Sequence, residues 1–136
     1  MLERFNVINE SKDWVNIIPL LKGWSKDKKY IVIDKENKKF LLRISSIELY
    51  DKKLRQFNLL KEVEKLNINA SRPISFGILN ENEIYTLLTY LDGEDAESYV
   101  SKIGDSEAYN LGVEAGKILK KLHSIPVTNN EKSWYE

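Results

Sequence analysis

Few residues in this chain have the type and setting for chemistry, and Arg43 stands out among them. It sits near the end of the otherwise apolar stretch "KFLLRIS" (39–45). Strand alternation places Leu41 and Arg43 on one face and Phe40, Leu42 and Ile44 on the other. A cation beside an apolar side chain suits a ligand with a flat apolar part and a phosphate. The competing reading is an edge arginine whose stem lies on the surface and whose head meets a surface carboxylate. A second candidate is the loop "GWSKDKK" (23–29), where Gly23 permits close backbone approach and Ser25 offers a hydroxyl and an N–H to an anion. It has too few glycines for a dinucleotide or P-loop signature, and as a hairpin turn it needs no ligand. Gln56 lies on the flank of a helical stripe, where the plain reading is a solvated side chain.

Composition narrows the chemistry further. The 136 residues include no cysteine and one histidine, His123, which excludes disulfides, thiol nucleophiles, cysteine-held zinc and multi-histidine metal sites. His123 falls at a helix end, where it is expected to cap carbonyls. Basic and acidic side chains number 21 each. That balance argues against nucleic-acid and membrane-surface partners, both of which rely on excess positive charge. The N-terminal "MLERFNVINESKDW" has no apolar core of a signal peptide, so a cytoplasmic location is expected. Asp92, Glu94 and Asp95 read as solvated loop carboxylates, and no metal ligands are assigned.

The elements that must position these residues follow from periodicity. "WVNIIPLLKGW" (14–24) reads as a strand that Pro19 confines to an edge. "KYIVID" and "KFLLRIS" flank "KENK" as a hairpin. From Ile47 the spacing changes: Ile47, Tyr50, Leu54, Phe57, Leu60 and Val63 recur at helical intervals, with Ser45 or Ser46 as cap. "PISFGIL" and "EIYTLLTYL" form two further strands across the turn "NENE". "DGED" breaks the sheet, "AESYVSKI" is a short segment, and "SEAYNLGVEAGKILKKLHS" (106–124) is a strong helix with Lys120 and Lys121 in its last turn. Gly112, Ala115 and Gly116 are expected to let a neighbour pack closely on that helix. "VTNNEKSWYE" (127–136) reads as a polar linker. The expected fold is α+β: a five-stranded antiparallel sheet with one helix inserted after its third strand, as in the small lobe of a protein kinase, followed by the first helices of a larger lobe. The expected division is residues 1–91 and 92–136.

The sequence resembles the aminoglycoside phosphotransferase and choline kinase-like family. "KGWSKDKKYIV" resembles the family's first hairpin, whose loop covers nucleotide phosphates. "KFLLRIS" resembles the third strand with its phosphate-binding cation. "LRQFNLLKEV" resembles the next helix, "IYTLLTYLDGED" the hinge, and "GKILKKLHSIP" the helix that opens the larger lobe. The resemblance implies a phosphotransferase that uses ATP or GTP on the hydroxyl of a small molecule. Ser25 and Arg43 would then meet phosphate, with Leu41 beside Arg43. Leu88 would lie behind the base, and Thr89 and Leu91 would offer a carbonyl and an N–H to its edge. Two departures accompany it: Arg43 matches a position usually held by lysine, and Gln56 matches the helix glutamate that normally holds that lysine, with Glu48 near the helix start, outside the matched pattern, as a substitute partner for Arg43. The family's catalytic H-x-D-x-x-x-x-N loop and metal-binding Asp have no match, since His123 is followed by "SIP". Catalytic groups, Mg2+ ligands and the acceptor site are therefore expected outside this chain, which reads as part of a longer enzyme. The alternative is a non-catalytic nucleotide-binding or scaffold module built on the same lobe.

Overall fold

The computed structural model describes residues 2–126. Seven-residue strand β1 (Trp14–Leu20) is followed by β2 (Lys28–Asp34) and β3 (Lys39–Ser46). Helix α1 (Tyr50–Glu64) follows, then β4 (Pro73–Ile78), β5 (Glu83–Thr89), and helices α2 (Ala96–Val100) and α3 (Asp105–Leu122). All neighbouring strands pair antiparallel in the order β1-β2-β3-β5-β4. The expected sheet and inserted helix are both present, and β1 and β4 are its edges. The segment 127–136, expected as a linker, lies outside the described residues.

Turn chemistry fixes the joints. Between β2 and β3, Asp34 Oδ1 accepts from the N–H groups of Glu36 and Lys38, both at 2.9 Å. Asn37 there takes φ 65°, a conformation that asparagine tolerates because its short polar side chain bonds locally. Of the two serines, Ser46 is the cap: its Oγ accepts from Glu48 N at 3.3 Å and starts the turn Ile47–Leu49 that leads into α1. Asn67, at φ 54°, turns the chain away after the helix. Asn80 Oδ1 takes the Asn82 N–H at 2.9 Å and tightens the β4–β5 turn.

The two faces of the sheet carry different loads. One face gathers Val32, Leu42, Ile44 and Leu87 into a core with Trp14 and Leu79. It is closed by a segment whose structure the sequence did not suggest: the 3-10 turns Leu2–Phe5 and Asn9–Asp13. Phe5 and Ile8 are fully buried there, with the Phe5 ring 5.8 Å from Tyr30 and 6.3 Å from Trp14.

The opposite face carries Leu41, Arg43 and Ser45 of β3 beside Leu88, Thr86 and Ile84 of β5, their direct cross-strand partners. Helix α1 covers the far side of this face. Its Tyr50 and Phe57 rings lie 5.2 and 5.8 Å from Phe76 of β4, and Val63 is buried further along the stripe. Because α1 packs over β4, the Arg43 end of β3 stays partly open beside the helix.

One packing expectation is corrected. Residues 109–120 of α3 are exposed throughout, and a side chain built at Gly112 or Gly116 would meet nothing within 4 Å. The small residues Gly112, Ala115 and Gly116 therefore pack against no described residue. Helical spacing shows that a close approach is possible, but it does not supply the neighbour.

Candidate functional site

Arg43 reaches from β3 toward the loop between β1 and β2. Its Nη2 donates to Ser25 Oγ at 3.1 Å. Its Nε donates to Asp27 Oδ2 at 3.1 Å, and Nη2 lies 3.0 Å from the same oxygen. That oxygen also accepts from Lys53 Nζ of α1 at 2.8 Å. A loop, a strand and a helix thus converge on one carboxylate oxygen. The loop shapes itself for this: Asp27 N donates to Ser25 Oγ at 3.1 Å, which folds the loop residues back on themselves. Gly23 takes φ 114°, a conformation costly for any residue with a Cβ. The Lys29 ammonium bonds the Lys22 carbonyl across the loop's base.

Burial gives this cluster its weight. The Asp27 side chain is 5% exposed, Lys53 14% and Arg43 31%. Burial alone would push the Asp27 carboxyl up. The Lys53 hydrogen bond and charge, the Ser45 hydroxyl and the Arg43 charge outweigh it and hold the carboxyl below its ordinary value. Two cations share one anion, so the cluster carries a surplus positive charge at a largely desolvated position.

The other predicted residues divide clearly. Leu41 and Leu88 face each other across the β3–β5 ladder, next to Arg43. They form an apolar floor on the face that carries the cation. Thr89 ends β5 and is tied to Arg72 by its N–H at 2.9 Å and by its Oγ1, which accepts from Arg72 N at 2.8 Å. Leu91 lies exposed just beyond, with Thr89 and Tyr90 on the rim of an open hollow. Gln56 is exposed on α1, and the described partners of Arg43 are Asp27 and Ser25. The carboxylate that holds Arg43 comes from the loop, not from Glu48 or the Gln56 position of the helix.

Two members of the cluster escaped the sequence reading, although both left a trace. Asp27 is the single acid among Lys22, Lys26, Lys28 and Lys29. Lys53 stands three residues after Tyr50 and four before Phe57, and so on the inward flank of the α1 stripe. Among the outlying carboxylates, Asp95 caps α2 by accepting from Glu97 N at 3.2 Å, while Asp92 and Glu94 pair with Lys39 and Lys102 at 3.5 and 3.0 Å. His123 caps α3, its N–H donating to the Leu119 carbonyl at 2.9 Å. Among the described residues, no group of three or more His, Asp or Glu side chains is placed to hold a metal ion, and no helix is long and apolar enough to cross a membrane.

A family model for the phosphotransferase enzyme family, APH, matches residues 16–136. The chain belongs to this family. Solved structures of the same fold include the aminoglycoside phosphotransferase APH(2'')-Ib in its ADP-bound form, with TM-score 0.66 and 17% identity, covering 96% of this chain and 42% of that one. A protein from Haemophilus somnus 129PT to which fructosamine-3-kinase activity is ascribed gives TM-score 0.52 and 16% identity, over 62% and 28% of the two chains. Rad53 in complex with AMP-PNP gives 0.54 and 19%, over 89% and 33%. The chain therefore spans less than half the length of each. Among curated proteins, none matches it. The five-stranded sheet and inserted helix of this APH-family chain are a protein-kinase-like small lobe, as the element order predicted.

Proposed function

We propose that this chain is the nucleotide-binding part of a small-molecule O-phosphotransferase that takes ATP or GTP. The observation that carries the proposal is Arg43 held beside Ser25, with Leu41 and Leu88 on the same face. Arg43 and Ser25 meet the phosphates, the two leucines cover the base, and the Thr89 carbonyl and Leu91 N–H meet its edge. Residues 1–91 form the nucleotide lobe and 92–136 begin the larger one. In the reaction the acceptor oxygen forms a bond to the terminal phosphorus, the bond from that phosphorus to its bridging oxygen breaks, and the acceptor's proton passes to a base. Such chemistry needs position and charge neutralisation above all. Mg2+, the base and the acceptor site are assigned to residues outside this chain. A non-catalytic module is the second reading, and Gln56, neutral where the family carries a carboxylate, is what favours it.

Arginine suits the role because its planar fork grips two oxygens and stays charged when partly desolvated. A charge-assisted hydrogen bond contributes roughly 1.5–3 kcal/mol, or on the order of tenfold to a hundredfold in affinity. Arg43→Ala should therefore weaken binding of a non-hydrolysable nucleotide by that factor in titration calorimetry. Lys53 still pairs Asp27 in this variant, so the fold should survive. Gln56→Ala, on an exposed helix position, should change affinity by less than about threefold. Equal losses for both variants, or none for Arg43→Ala, would reduce the arginine to a surface residue.

A further inference from the structure

We propose that Lys53 of α1 is a second polyphosphate-binding cation, set in place with Arg43 by their shared carboxylate, Asp27. The inference rests on the reading in which Arg43 meets phosphate, and it adds a ligand from the helix.

The charge count carries it. Arg43 and Lys53 approach one oxygen of Asp27, at 3.0 and 2.8 Å, so two positive charges stand against one negative charge. Lysine is strongly hydrated and rarely gives up water unless an anion replaces it. At 14% exposure, Lys53 has given up most of its hydration for half a share of one carboxylate. Surface lysines elsewhere in the chain, such as Lys65 and Lys117, keep about two thirds of their exposure in their own ion pairs. The ammonium has three donors, and Asp27 takes one. Arg43 remains partly open on the same side of the sheet, with Nη2 already on Ser25. A phosphate chain placed beside Arg43 lies within reach of the ammonium that shares its counter-ion, and brings the missing negative charge.

Asp27 then has a specific job. Without it, two cations this close repel each other and splay. With it, they stand as a fixed pair facing the same anion. The helix thereby supplies a cation on the element where a carboxylate at the Gln56 position would ordinarily hold the strand's base.

The test uses inorganic tripolyphosphate and a non-hydrolysable ATP analogue, with adenosine as the phosphate-free control, all by titration calorimetry on the purified protein. Lys53→Met should weaken tripolyphosphate and analogue binding about tenfold, the loss of one charge-assisted contact. Lys53→Arg should restore most of it, and adenosine binding should not move. A purely structural lysine would instead lower all three affinities together. If Lys53→Met fails to fold, the unaltered protein still answers. Tripolyphosphate should slow reductive methylation of Lys53, read by mass spectrometry, at least about fivefold, and absence of protection overturns the proposal. Loss of tripolyphosphate binding in Arg43→Ala with full binding in Lys53→Met overturns this inference and leaves the proposed function standing. Full binding in both variants overturns the two together.

Discussion

Replacing Asp27 with alanine is expected to destabilise the folded chain by about 3 kcal/mol, the lower end of the cost of removing one partner from a buried ion pair. The lower end applies because Arg43, 31% exposed, turns to water more readily than Lys53, which is 14% exposed. Lys53 would be left on the inward flank of α1 as a largely buried charge without its counter-ion. Urea unfolding of the two proteins measures the difference directly. A loss below about 1 kcal/mol would place this cluster with ordinary surface pairs.

The same carboxylate gives the chain a defined response to acid. Its folded value lies below its ordinary 3.8, so its contribution is complete above that pH. The contribution is lost as pH falls through the folded value, because the unfolded chain then binds a proton that the folded chain refuses. Stability should therefore fall below about pH 4, and Asp27→Ala should flatten that part of the profile. Identical acid slopes in both proteins would show that other carboxylates govern the response.

Phe5→Ala is expected to cost still more, about 3–5 kcal/mol, as for other fully buried aromatic side chains. The ring is completely enclosed between Trp14 and Tyr30. Removing it opens a cavity in the main core, where the surrounding strands can relax only partly. Domains of this kind have a total stability of roughly 5–15 kcal/mol, so the loss is a large share of the whole. Leu59→Ala, at a half-exposed position on α1, serves as the control and should stay within about 1 kcal/mol. A comparable urea midpoint for Phe5→Ala and Leu59→Ala would mean that the N-terminal turns do not dock on the sheet in solution.

Sequence disclosed most where a period repeats. Strand alternation identified the buried face of β3 at Leu42 and Ile44, and helical spacing found the stripe ending at Val63. Pro19 marked an edge correctly. The N-terminal turns stayed hidden because a 3-10 turn of four or five residues has no room for a period, and Phe5 and Ile8 look like scattered apolar residues. The ion cluster was half legible. Arg43 and Ser25 were visible as single residues of suggestive type. Their meeting with Asp27 and Lys53 depends on how the loop 21–27 folds back across the sheet, and spacing within a strand or helix carries no record of that path. The Gln56 expectation shows the same limit from the other side: a helix position was matched, but the counter-charge came from another element.

The sheet's two borders have a consequence of their own. Strand β1 carries Pro19 and a register shift between Trp14 and Asn16. Strand β4 opens at Pro73 and has its own register shift before Ser75. Each border thus lacks a main-chain donor and bends out of the flat line that an added strand must follow. Neither offers an unbroken template for a foreign β-strand, which protects a small, exposed sheet from stacking into fibres. It also narrows how other proteins can hold this lobe. A partner that recognises backbone by extending the sheet would find poor purchase, so recognition must pass through side chains on its faces and helices.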